Sequence, residues 1–442
     1  MREEIWTEKT FKDDAGYFLR ITKRTFTTYM EKIDINANKS EAARCLKCRN
    51  ARCSAACPVH TDIPALMSLY LQGKKDEAAA ILLRNNPMAA ISSRVCDWSR
   101  VCLSRCILNA RQSPVNWHSV EAEIAGDAIF RMKIRPGAAT GKSVGIIGAG
   151  PAGISAAIWL REAGHDVVIY DIYERPGGVL RYGIPEFRLD RKFIDRYEVI
   201  LEEAGVAFRG STIVGKDITL RELREKHDAV LIAAGAGIPR KLDVPGEEDA
   251  NVIYALDYLK DPSAYNLGRN VIVIGGGNVT MDACRTAVRQ GCDTTVYYRK
   301  SFENMPANAI EVELAREEGV RFALFEVPVG FNEGRAVMRK CENVLKPDGR
   351  VSTKMLEGTD HEVEFDTMLV AISANVDFDI FGEDKPALNR YGWPETDDSQ
   401  QTSLKDVFIA GDFILGPATV VDAVASAKKA VAGILNFLAP TT

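Results

Sequence analysis

The chain has 442 residues, of which 46% are hydrophobic and 26% are charged, and its formal net charge is −5. This length predicts two to four domains, and an acidic balance without a dense basic run is not typical of a nucleic-acid-binding protein. The amino-terminal stretch MREEIWTEKTFKDD is charged where a signal peptide would be apolar, and no apolar stretch free of glycine is long enough to span a bilayer. We therefore expect a cytoplasmic protein with no membrane segment.

Residues 1 to about 40 are expected to form an arm or a short helical lead-in without chemistry of its own. Seven of the ten cysteines follow between Cys45 and Cys106, in the groups C-x2-C-x4-C-x3-C-P and C-x5-C-x3-C. Disulfides are rare in the cytoplasm, so this density indicates a metal site or redox chemistry. Iron-sulfur clusters use four ligands each, so seven cysteines are one short of two [4Fe-4S] clusters. Structural zinc is the alternative, but it usually uses paired C-x2-C elements, and only one occurs here.

Between the cysteine groups, apolar residues recur at helical spacing from Thr61 to Arg94, with Gly73 as a break. This pattern predicts a helical hairpin. Around residues 135–141 the sequence becomes small and turn-prone, which indicates a domain linker.

After the linker, the sequence VGIIGAGPAGISAAIWLREAG-HDVVIYD has the pattern strand, glycine turn, helix, strand, and RNVIVIGGGNVTMDACRTAVRQG-CDTTVYYRK repeats it. With the further strand AVLIAAG, the repeat predicts two doubly wound dinucleotide-binding domains. A last strand and a long helix follow in DVFIAGDFILGPATVVDAVASAKKAVAGILNFL. Because this strand has no partner of its own, we expect it to join one of the two earlier sheets.

Gly148, Gly150 and Gly153 form a G-x-G-x-x-G pattern directly after an apolar strand and at the start of a helix. Glycine there permits a tight turn and a close approach of the backbone to a pyrophosphate, whose charge lies at the helix amino terminus. Asp171 ends the next strand, where a carboxylate can accept hydrogen bonds from ribose hydroxyls. The pattern predicts a dinucleotide site, and a purely structural glycine turn is the alternative.

The identity of this dinucleotide is indicated near the far end of the chain. Gly411 and Asp412 follow a strand, and Asp412 is placed to bond a ribityl hydroxyl, which flavin has and nicotinamide nucleotides lack. The helix beginning near Thr419 could direct its positive end toward the flavin ring, where reduction develops negative charge. We therefore predict FAD, although a Gly-Asp pair alone is more often an ordinary turn.

In the second unit, Gly275 and Gly277 keep the glycine positions, and Thr280 replaces the third glycine. We expect this replacement to loosen the packing of helix on strand slightly while leaving the phosphate turn intact. Arg299 and Lys300 stand at the end of the next strand, where an NAD site usually has an acid. Two cations there can pair with a 2′-phosphate, which favours NADPH over NADH. A solvated basic pair is the alternative.

Taken together, these segments resemble a known family, which comprises the NADPH-oxidising small subunit of bacterial glutamate synthase, the amino-terminal half of dihydropyrimidine dehydrogenase and electron-bifurcating relatives. The resemblance extends from Ala42 to Phe437. It depends on the two cysteine groups and on VGIIGAGPAG, ERPGGVLRYGIPEFRL, VIVIGGGNVTMD, YYRK and FIAGD. Unrelated flavoproteins share the glycine motifs but not the cysteine module.

The resemblance implies two sets of cluster ligands. One cluster would take Cys45, Cys48, Cys53 and Cys106, and the other would take Cys57, Cys96 and Cys102. The family completes the second cluster with a Gln or Glu beyond the last cysteine, and the segment PVNWHSVE places Glu121 there. A surface glutamate on an amphipathic helix is the alternative for that residue.

By the same resemblance, the segment from Gly177 through Gly178 and Leu180 to Arg188 lines the flavin, and Asn304–Pro306 help to close the NADPH site. The chain departs from the family at Asp97, where proline is common, and at Ser373, where glycine is usual. The Ser373 departure puts the local approach to FAD in doubt. Cys284 and Cys292 are expected to be buried small residues and not a redox pair.

The predicted fold is thus α/β, with two doubly wound domains for FAD and NADPH preceded by a helical domain that carries two [4Fe-4S] clusters. The predicted boundaries are 1–140 for the helical iron-sulfur domain, 141–258 and 369–442 for the two segments of the FAD domain, and 259–368 for the NAD(P)H domain. The candidate cofactor-binding residues lie at glycine turns, strand ends and helix starts. They are Gly148, Gly150, Pro151, Ala152, Gly153, Asp171, Gly178, Leu180, Arg188, Gly235, Gly275, Gly277, Asn278, Val279, Arg299, Lys300, Gly411, Asp412, Thr419 and Val420.

The predicted function is that of an electron-input subunit, which passes electrons from NADPH, or alternatively NADH, through FAD and the clusters to a partner catalytic subunit. The cofactors carry this chemistry, so we name no catalytic acid or base. A dihydropyrimidine dehydrogenase-like complex is favoured, and a glutamate synthase-like or transhydrogenase-like complex is the alternative. A pyridine nucleotide-disulfide reductase is less favoured, because the C-x2-C pair lies in the helical module. A zinc-stabilised scaffold without enzymatic activity is the third hypothesis.

Overall fold

The computed structural model describes residues 9–12, 18–21, 35–248, 251–332 and 334–440. They belong to two compact units. One comprises Met1–Arg181, Glu186–Ala236 and Val376–Thr442, and the other comprises Tyr182–Pro185 and Gly237–Asn375. Among the described residues, no helix is both long enough and apolar enough to cross a membrane.

The first unit begins with two short antiparallel strands, β1 (Lys9–Lys12) and β2 (Phe18–Ile21). The rest of the predicted arm, up to residue 34, lies outside the described residues. Six helices follow, and they are α1 (Ile35–Arg44), α2 (Arg52–Ala56), α3 (Ile63–Leu71), α4 (Lys75–Asn85), α5 (Ala89–Val95) and α6 (Trp117–Ala128).

The predicted helical hairpin between the cysteine groups is confirmed by α3 and α4. Gly73 lies between them with a φ of 76°, a conformation that glycine adopts without steric cost. Asp62 caps α3 by accepting a hydrogen bond from the Ala65 N–H, and Asn116 caps α6 by accepting one from the Ser119 N–H. Leu66, Met67, Ile91, Trp98 and Leu103 are fully buried and form the apolar interior of this helical part.

The same unit contains a five-stranded parallel sheet in the order β18-β6-β3-β4-β5. The strands are β3 (Ser143–Ile147), β4 (Asp166–Tyr170), β5 (Ala207–Arg209), β6 (Ala229–Ile232) and β18 (Val407–Ile409). Its helices are α7 (Pro151–Glu162), α8 (Val179–Tyr182), α9 (Arg191–Glu203), α10 (Leu220–Lys226), α14 (Asp412–Leu415) and α15 (Val420–Leu438). Because β18 pairs with β6, the prediction that the last strand returns to an earlier sheet is confirmed.

The second unit contains another five-stranded parallel sheet, in the order β11-β10-β9-β16-β8. Its strands are β8 (Val252–Tyr254), β9 (Asn270–Gly275), β10 (Asp293–Tyr298), β11 (Arg321–Leu324) and β16 (Thr367–Ala371). Its helices are α11 (Ala255–Lys260), α12 (Asn278–Arg289) and α13 (Ala309–Glu317). The remaining strands are antiparallel and are β7 (Ile238–Pro239), β12 (Glu326–Asn332), β13 (Arg335–Leu345), β14 (Val351–Met355), β15 (His361–Glu364) and β17 (Ala374–Asn375).

The predicted fold class is confirmed by these two parallel sheets, each built around a strand, glycine turn and helix. The main segment of the second compact unit begins at Gly237, earlier than the boundary we predict at residue 258, and ends at Asn375, beyond the predicted residue 368. The reason for the earlier start is that β8 pairs with β16 in the second sheet.

Candidate functional site

The two cysteine groups line two pockets in the helical part of the first unit. We call first pocket the one lined by Cys45, Cys48, Cys53 and Cys106, with Cys102 also on its wall. It measures about 590 Å³ including its open mouth. The structure therefore brings together the four cysteines that the resemblance assigns to one cluster, two of them from opposite ends of the cysteine module.

The second pocket is lined by Cys57, Cys96, Cys102 and Glu121, and it measures about 390 Å³. Glu121 is 9% exposed and lies on α6, so it is not the surface glutamate of the alternative interpretation. The structure thus places the predicted fourth ligand beside the three cysteines predicted to share its cluster. Its role as a ligand stays a prediction.

Burial makes charged thiolates and carboxylates costly in both pockets. It raises the pKa of the Cys53 thiol to about 11 and raises those of Cys96 and Cys102 well above the usual value. Burial also raises the pKa of Glu121 to about 8, against the opposing hydrogen bond from Trp117 and the charge of Arg94. In the protein alone these groups favour their neutral forms, and a bound cation is what would favour the deprotonated ligands.

The donor set fits iron-sulfur clusters, because thiols predominate and each pocket supplies four candidate ligands. In the described part of the chain, no group of three or more His, Cys, Asp or Glu side chains is close enough to hold a single metal ion. A four-iron cluster is larger than one ion, so its ligands stand farther apart.

Two aromatic residues that the sequence patterns did not single out line the second pocket. Trp98 and His118 are buried, and their rings stack with centroids 3.9 Å apart and planes 6° apart. Burial lowers the pKa of His118 to about 3, so its ring is neutral at physiological pH. Val421, in the first turn of α15, also lines this pocket. These residues reach the pocket through tertiary contacts between distant segments, so sequence periodicity could not have identified them.

The first glycine turn joins β3 to α7. A Cβ atom at Gly153 would lie 1.9 Å from the Gly148 carbonyl oxygen, so no side chain fits there, whereas a Cβ at Gly150 would meet nothing within 4 Å. Asp171 holds this turn, because its carboxylate accepts hydrogen bonds from the Ala149 and Tyr173 N–H groups. The open space at Gly150 fits the predicted pyrophosphate.

The structure brings other predicted flavin residues to this turn. A Cβ at Gly178 would lie 2.9 Å from the Gly150 Cα, and one at Gly411 would lie 3.0 Å from the Ala152 Cβ. Leu180 is fully buried in α8. Gly235 has a φ of 74°, and it follows β6, the strand next to β3.

Asp412 and the start of α15 follow β18. Burial raises the pKa of Asp412 to about 7, and its Oδ1 accepts a hydrogen bond from the Ala418 N–H at 3.3 Å. Thr419 caps α15, because its hydroxyl accepts from the Asp422 N–H while Asp422 accepts from the Thr419 N–H. Val420 begins that helix. These residues are positioned by the fold, and their contacts to FAD stay predictions, as does that of Arg188.

The second glycine turn joins β9 to α12. A Cβ at Gly275 would lie 2.3 Å from the Ala371 carbonyl oxygen, whereas one at Gly277 would meet nothing within 4 Å. Asn278 and Val279 form the first turn of α12 and are half-buried. The open space at Gly277 fits a nucleotide phosphate, as at Gly150.

The predicted slight loosening of helix on strand at Thr280 stays a prediction, while the turn itself is intact, as predicted. The Thr280 side chain is fully buried, its hydroxyl oxygen accepts from the Gly277 N–H at 3.2 Å, and the hydroxyl donates to the Ala371 carbonyl at 3.3 Å. The hydroxyl therefore links the glycine turn and the helix to the neighbouring strand β16. At the equivalent position of the first turn, Gly153 has no side chain to make such bonds.

Arg299 and Lys300 follow β10, as predicted, but they differ in their surroundings. The Lys300 Nζ donates a hydrogen bond to the Val351 carbonyl at 2.7 Å. Arg299 is exposed. Asn304 is fixed by the Tyr298 hydroxyl, which donates to its carbonyl, and by the Asn343 side chain. Of the two cations, Arg299 is the freer to meet a phosphate.

The remaining cysteines lie in the second unit. Cys284 is fully buried in α12, as expected, but Cys292 is only half-buried, because it precedes β10 at the end of a helix-strand turn. The prediction that both are buried is therefore wrong for Cys292. Ser373 has a φ of 129°, a region that non-glycine residues rarely adopt, and glycine is usual there in the resembled family.

Comparison with known proteins gives two family matches. The sequence model of the pyridine nucleotide-disulphide oxidoreductases matches residues 142–427, and that of dihydropyrimidine dehydrogenase domain II, 4Fe-4S cluster, matches residues 22–133. The glutamate synthase [NADPH] small chain of Azospirillum brasilense is 34% identical over 429 residues, covering 91% of this chain and 89% of that protein. The NAD-dependent dihydropyrimidine dehydrogenase subunit PreT of Escherichia coli is 32% identical over 406 residues, covering 90% and 93%.

Among solved structures, Mycobacterium tuberculosis FprA in complex with NADPH has a TM-score of 0.58 at 18% identity, covering 69% of this chain and 85% of that one. Lactococcus lactis thioredoxin reductase has a TM-score of 0.51 at 21% identity, covering 67% and 99%. At these identities the likeness establishes the fold alone.

Proposed function

Because the chain belongs to the family of the glutamate synthase small chain and the dihydropyrimidine dehydrogenase electron-input subunit, we propose that it delivers electrons from NADPH to a separate catalytic subunit. It is an NAD(P)H-dependent flavin and iron-sulfur oxidoreductase that uses FAD and 4Fe-4S clusters. When bound, FAD accepts a hydride from the nicotinamide nucleotide, and the clusters carry single electrons. The protein's own residues hold these groups in order.

One observation carries the proposed order of sites. Val421 lines the second pocket and lies in the first turn of α15, next to the Thr419 cap that is predicted to face the flavin. Cys102 lines both pockets, so the second pocket adjoins the first pocket as well as the start of α15. The order flavin site, second pocket, first pocket therefore leads from the nucleotide domain toward the open mouth of the first pocket.

Two partners remain candidates for the final acceptor. The identities of 34% to the glutamate synthase small chain and 32% to PreT do not separate them. The segment YYRKSFENMP favours a dihydropyrimidine dehydrogenase-like complex. Co-purification of the catalytic partner decides between the two. NADPH oxidation driven by a pyrimidine supports our proposal, whereas NADPH-dependent glutamate formation supports the alternative.

The pocket assignment is tested by measuring iron after anaerobic purification. We expect about eight iron atoms per wild-type chain, which is two clusters of four, and about four after Glu121→Ala. Glu123 lies on the same helix and lines neither pocket, since its carboxylate bonds Asn38 and Tyr70. Glu123→Gln should therefore retain all the iron. Full iron content in Glu121→Ala would remove Glu121 from the ligand set, and zinc in place of iron would contradict the proposal.

The FAD assignment is tested at Asp412. Replacing it with Ala should weaken FAD retention, because the predicted bond to a ribityl hydroxyl is lost. The measurement is the flavin content after gel filtration. Asp422→Asn retains a polar cap partner for Thr419 and serves as the matched control. Unchanged flavin occupancy in Asp412→Ala would argue against the role of Asp412.

A further inference from the structure

Positive charge is concentrated around the cysteines of this acidic chain. The segments 45–61 and 98–117 together contain six Lys or Arg residues and no Asp or Glu, whereas the whole chain has a net charge of −5. The six cations are Lys47, Arg49, Arg52, Arg100, Arg105 and Arg111. Such a local excess is an electrostatic feature of the surface and is not required by the fold.

Five of these cations are exposed, and one of the five, Arg100, pairs with Asp97. We call the other four, Lys47, Arg49, Arg52 and Arg111, the basic rim. Nearby acids are already engaged. Glu41 pairs with Arg44, Asp97 pairs with Arg100, and Asp62 caps α3. Within the described part of the chain, the rim therefore has little local neutralisation.

Two large apolar side chains stand at the mouth of the first pocket. Leu46 is 59% exposed and Ile107 is 51% exposed, and both line the pocket together with its cysteines. An apolar centre surrounded by charged residues is the usual arrangement of a protein docking surface. Nucleic acid would use the cations but has no need of the apolar centre.

We propose that this surface docks the electron-accepting partner, and that the partner presents an acidic face with an apolar centre. The inference rests on the proposed function, in which the first pocket is the last site before the partner. Opposite charge on the two faces would speed association and fix the orientation that places the acceptor over the first pocket.

The test compares one acceptor protein in two charge states, native cytochrome c, which is basic, and succinylated cytochrome c, which is acidic. At low salt the wild-type protein should reduce the acidic form with kcat/KM about tenfold higher than the basic form, and added salt should remove the difference. Charge reversal of the rim, by R49E, R52E and R111E together, should invert the preference. Reversal of the exposed Lys385, Arg390 and Lys405 gives the same net charge and should leave the preference unchanged.

Menadione, a neutral small acceptor, separates this inference from the proposed function. Its NADPH-dependent reduction should be the same in all three proteins. Equal rates with both forms of cytochrome c, or a preference that shifts equally in the control variant, would overturn the docking surface while menadione reduction stays intact. Tight binding of DNA or of anionic vesicles to the wild-type protein, lost on rim reversal, would identify a different occupant and would also overturn it. Absence of menadione reduction in the wild-type protein would count against the proposed function itself.

His118 carries an independent observation in the second pocket. The residue is 6% exposed, and its Nδ1 has no hydrogen-bond partner among the described residues. Stacking on Trp98 fixes the plane of the ring and leaves only its edge available. A buried nitrogen without a partner is destabilising, and His118 lines the second pocket, so a group bound there is the natural partner.

We infer that the Nδ1–H of His118 donates a hydrogen bond to the iron-sulfur group of the second pocket and raises its reduction potential. This inference also rests on the proposed function. Hydrogen bonds to cluster sulfurs stabilise the reduced, more negative state, so their loss lowers the potential.

The test is an EPR-monitored redox titration with iron analysis. His118→Phe keeps a stacked ring but removes the N–H and should lower the potential of the second-pocket cluster only. His118→Asn keeps a donor near the Nδ1 position and should restore it, and the first-pocket cluster is the internal control. An unchanged potential in the Phe variant would overturn the inference. If the Phe variant loses iron, His118→Ala is compared with His118→Asn, and equal potentials in these two would overturn it.

Discussion

The two glycine turns of this chain follow similar strands and precede similar helices, yet their third positions are closed in opposite ways. At Gly153 the turn excludes any side chain, because a Cβ would lie 1.9 Å from the Gly148 carbonyl oxygen. At Thr280 the hydroxyl bonds the Gly277 N–H and the Ala371 carbonyl. The third glycine is therefore a packing requirement of the first turn, whereas a side-chain hydroxyl takes that place in the second.

The ends of the following strands differ as well. Asp171 is buried and bonded to the backbone of the first turn, so part of its role is to hold that turn in shape. Arg299 is exposed at the corresponding place in the second unit. One turn is thus supported by a carboxyl group of the protein, whereas the residue at the corresponding place in the second unit is an exposed cation.

The largest effect is expected from Gly153→Ala. The new methyl group has no space, and overpacking of this kind costs about 3 kcal/mol or more. Flavin content should fall to near zero, and the yield of folded protein should fall with it. Thr280→Ala is the matched control, because it removes atoms and leaves NADPH binding in place. A Gly153→Ala protein with full FAD would show that the first turn accommodates a side chain and would contradict this steric requirement.

The next largest effect concerns the choice of nicotinamide nucleotide. Arg299→Gln should raise the KM for NADPH about 10- to 100-fold and leave the KM for NADH nearly unchanged, because a charge-assisted bond to the 2′-phosphate is lost. Lys300→Gln should have the smaller effect, because the Lys300 ammonium already bonds Val351. Steady-state kinetics with both nucleotides give the ratio. Equal effects on both nucleotides would remove the 2′-phosphate assignment.

A smaller effect, on stability, is expected from Thr280→Val. The variant keeps the shape of the side chain but leaves the Gly277 N–H and the Ala371 carbonyl without this partner, at a cost of about 1–2 kcal/mol. The unfolding midpoint should fall in thermal denaturation, and Thr280→Ser should retain it. Equal midpoints for Val and Ser would show that the hydroxyl contributes nothing.

The smallest effect is expected from Ser373→Gly. Ser373 follows β16 with a φ of 129°, whereas Gly235 follows the equivalent strand β6 with a φ of 74°. Glycine removes the backbone strain at Ser373. After the added entropy of the unfolded chain is subtracted, the variant should be more stable by about 1 kcal/mol. The variant should unfold at a higher temperature or denaturant concentration, and Ser373→Ala should not. A lower unfolding midpoint in Ser373→Gly would show that the Ser373 backbone is not strained.

Much of this architecture was predictable because local patterns report local chemistry. The helical hairpin around Gly73, the two parallel sheets and the return of β18 to the first sheet follow from periodicity and from the need of a strand for partners. Cysteine spacing and family resemblance also named residues that the fold gathers into the two pockets.

Other features depend on contacts between segments far apart in the chain. The partners of Thr280, the stack of His118 on Trp98 and the approach of Val421 to the second pocket are set by tertiary packing. Exposure is equally non-local, which is why Cys292 differs from the prediction while Cys284 agrees with it. No pattern within one segment records these relations.

The proposed path of electrons from NADPH through FAD to the clusters is tested most directly by rapid anaerobic mixing of the purified protein with NADPH. We predict that the flavin absorption band is lost first and that the broad visible absorption of the iron-sulfur clusters decreases afterwards, without any added acceptor. Glu121→Ala should keep the first phase and lose the second, because the missing second-pocket cluster interrupts the path to the first pocket. Flavin reduction with no later change in cluster absorption would contradict the proposed order of sites.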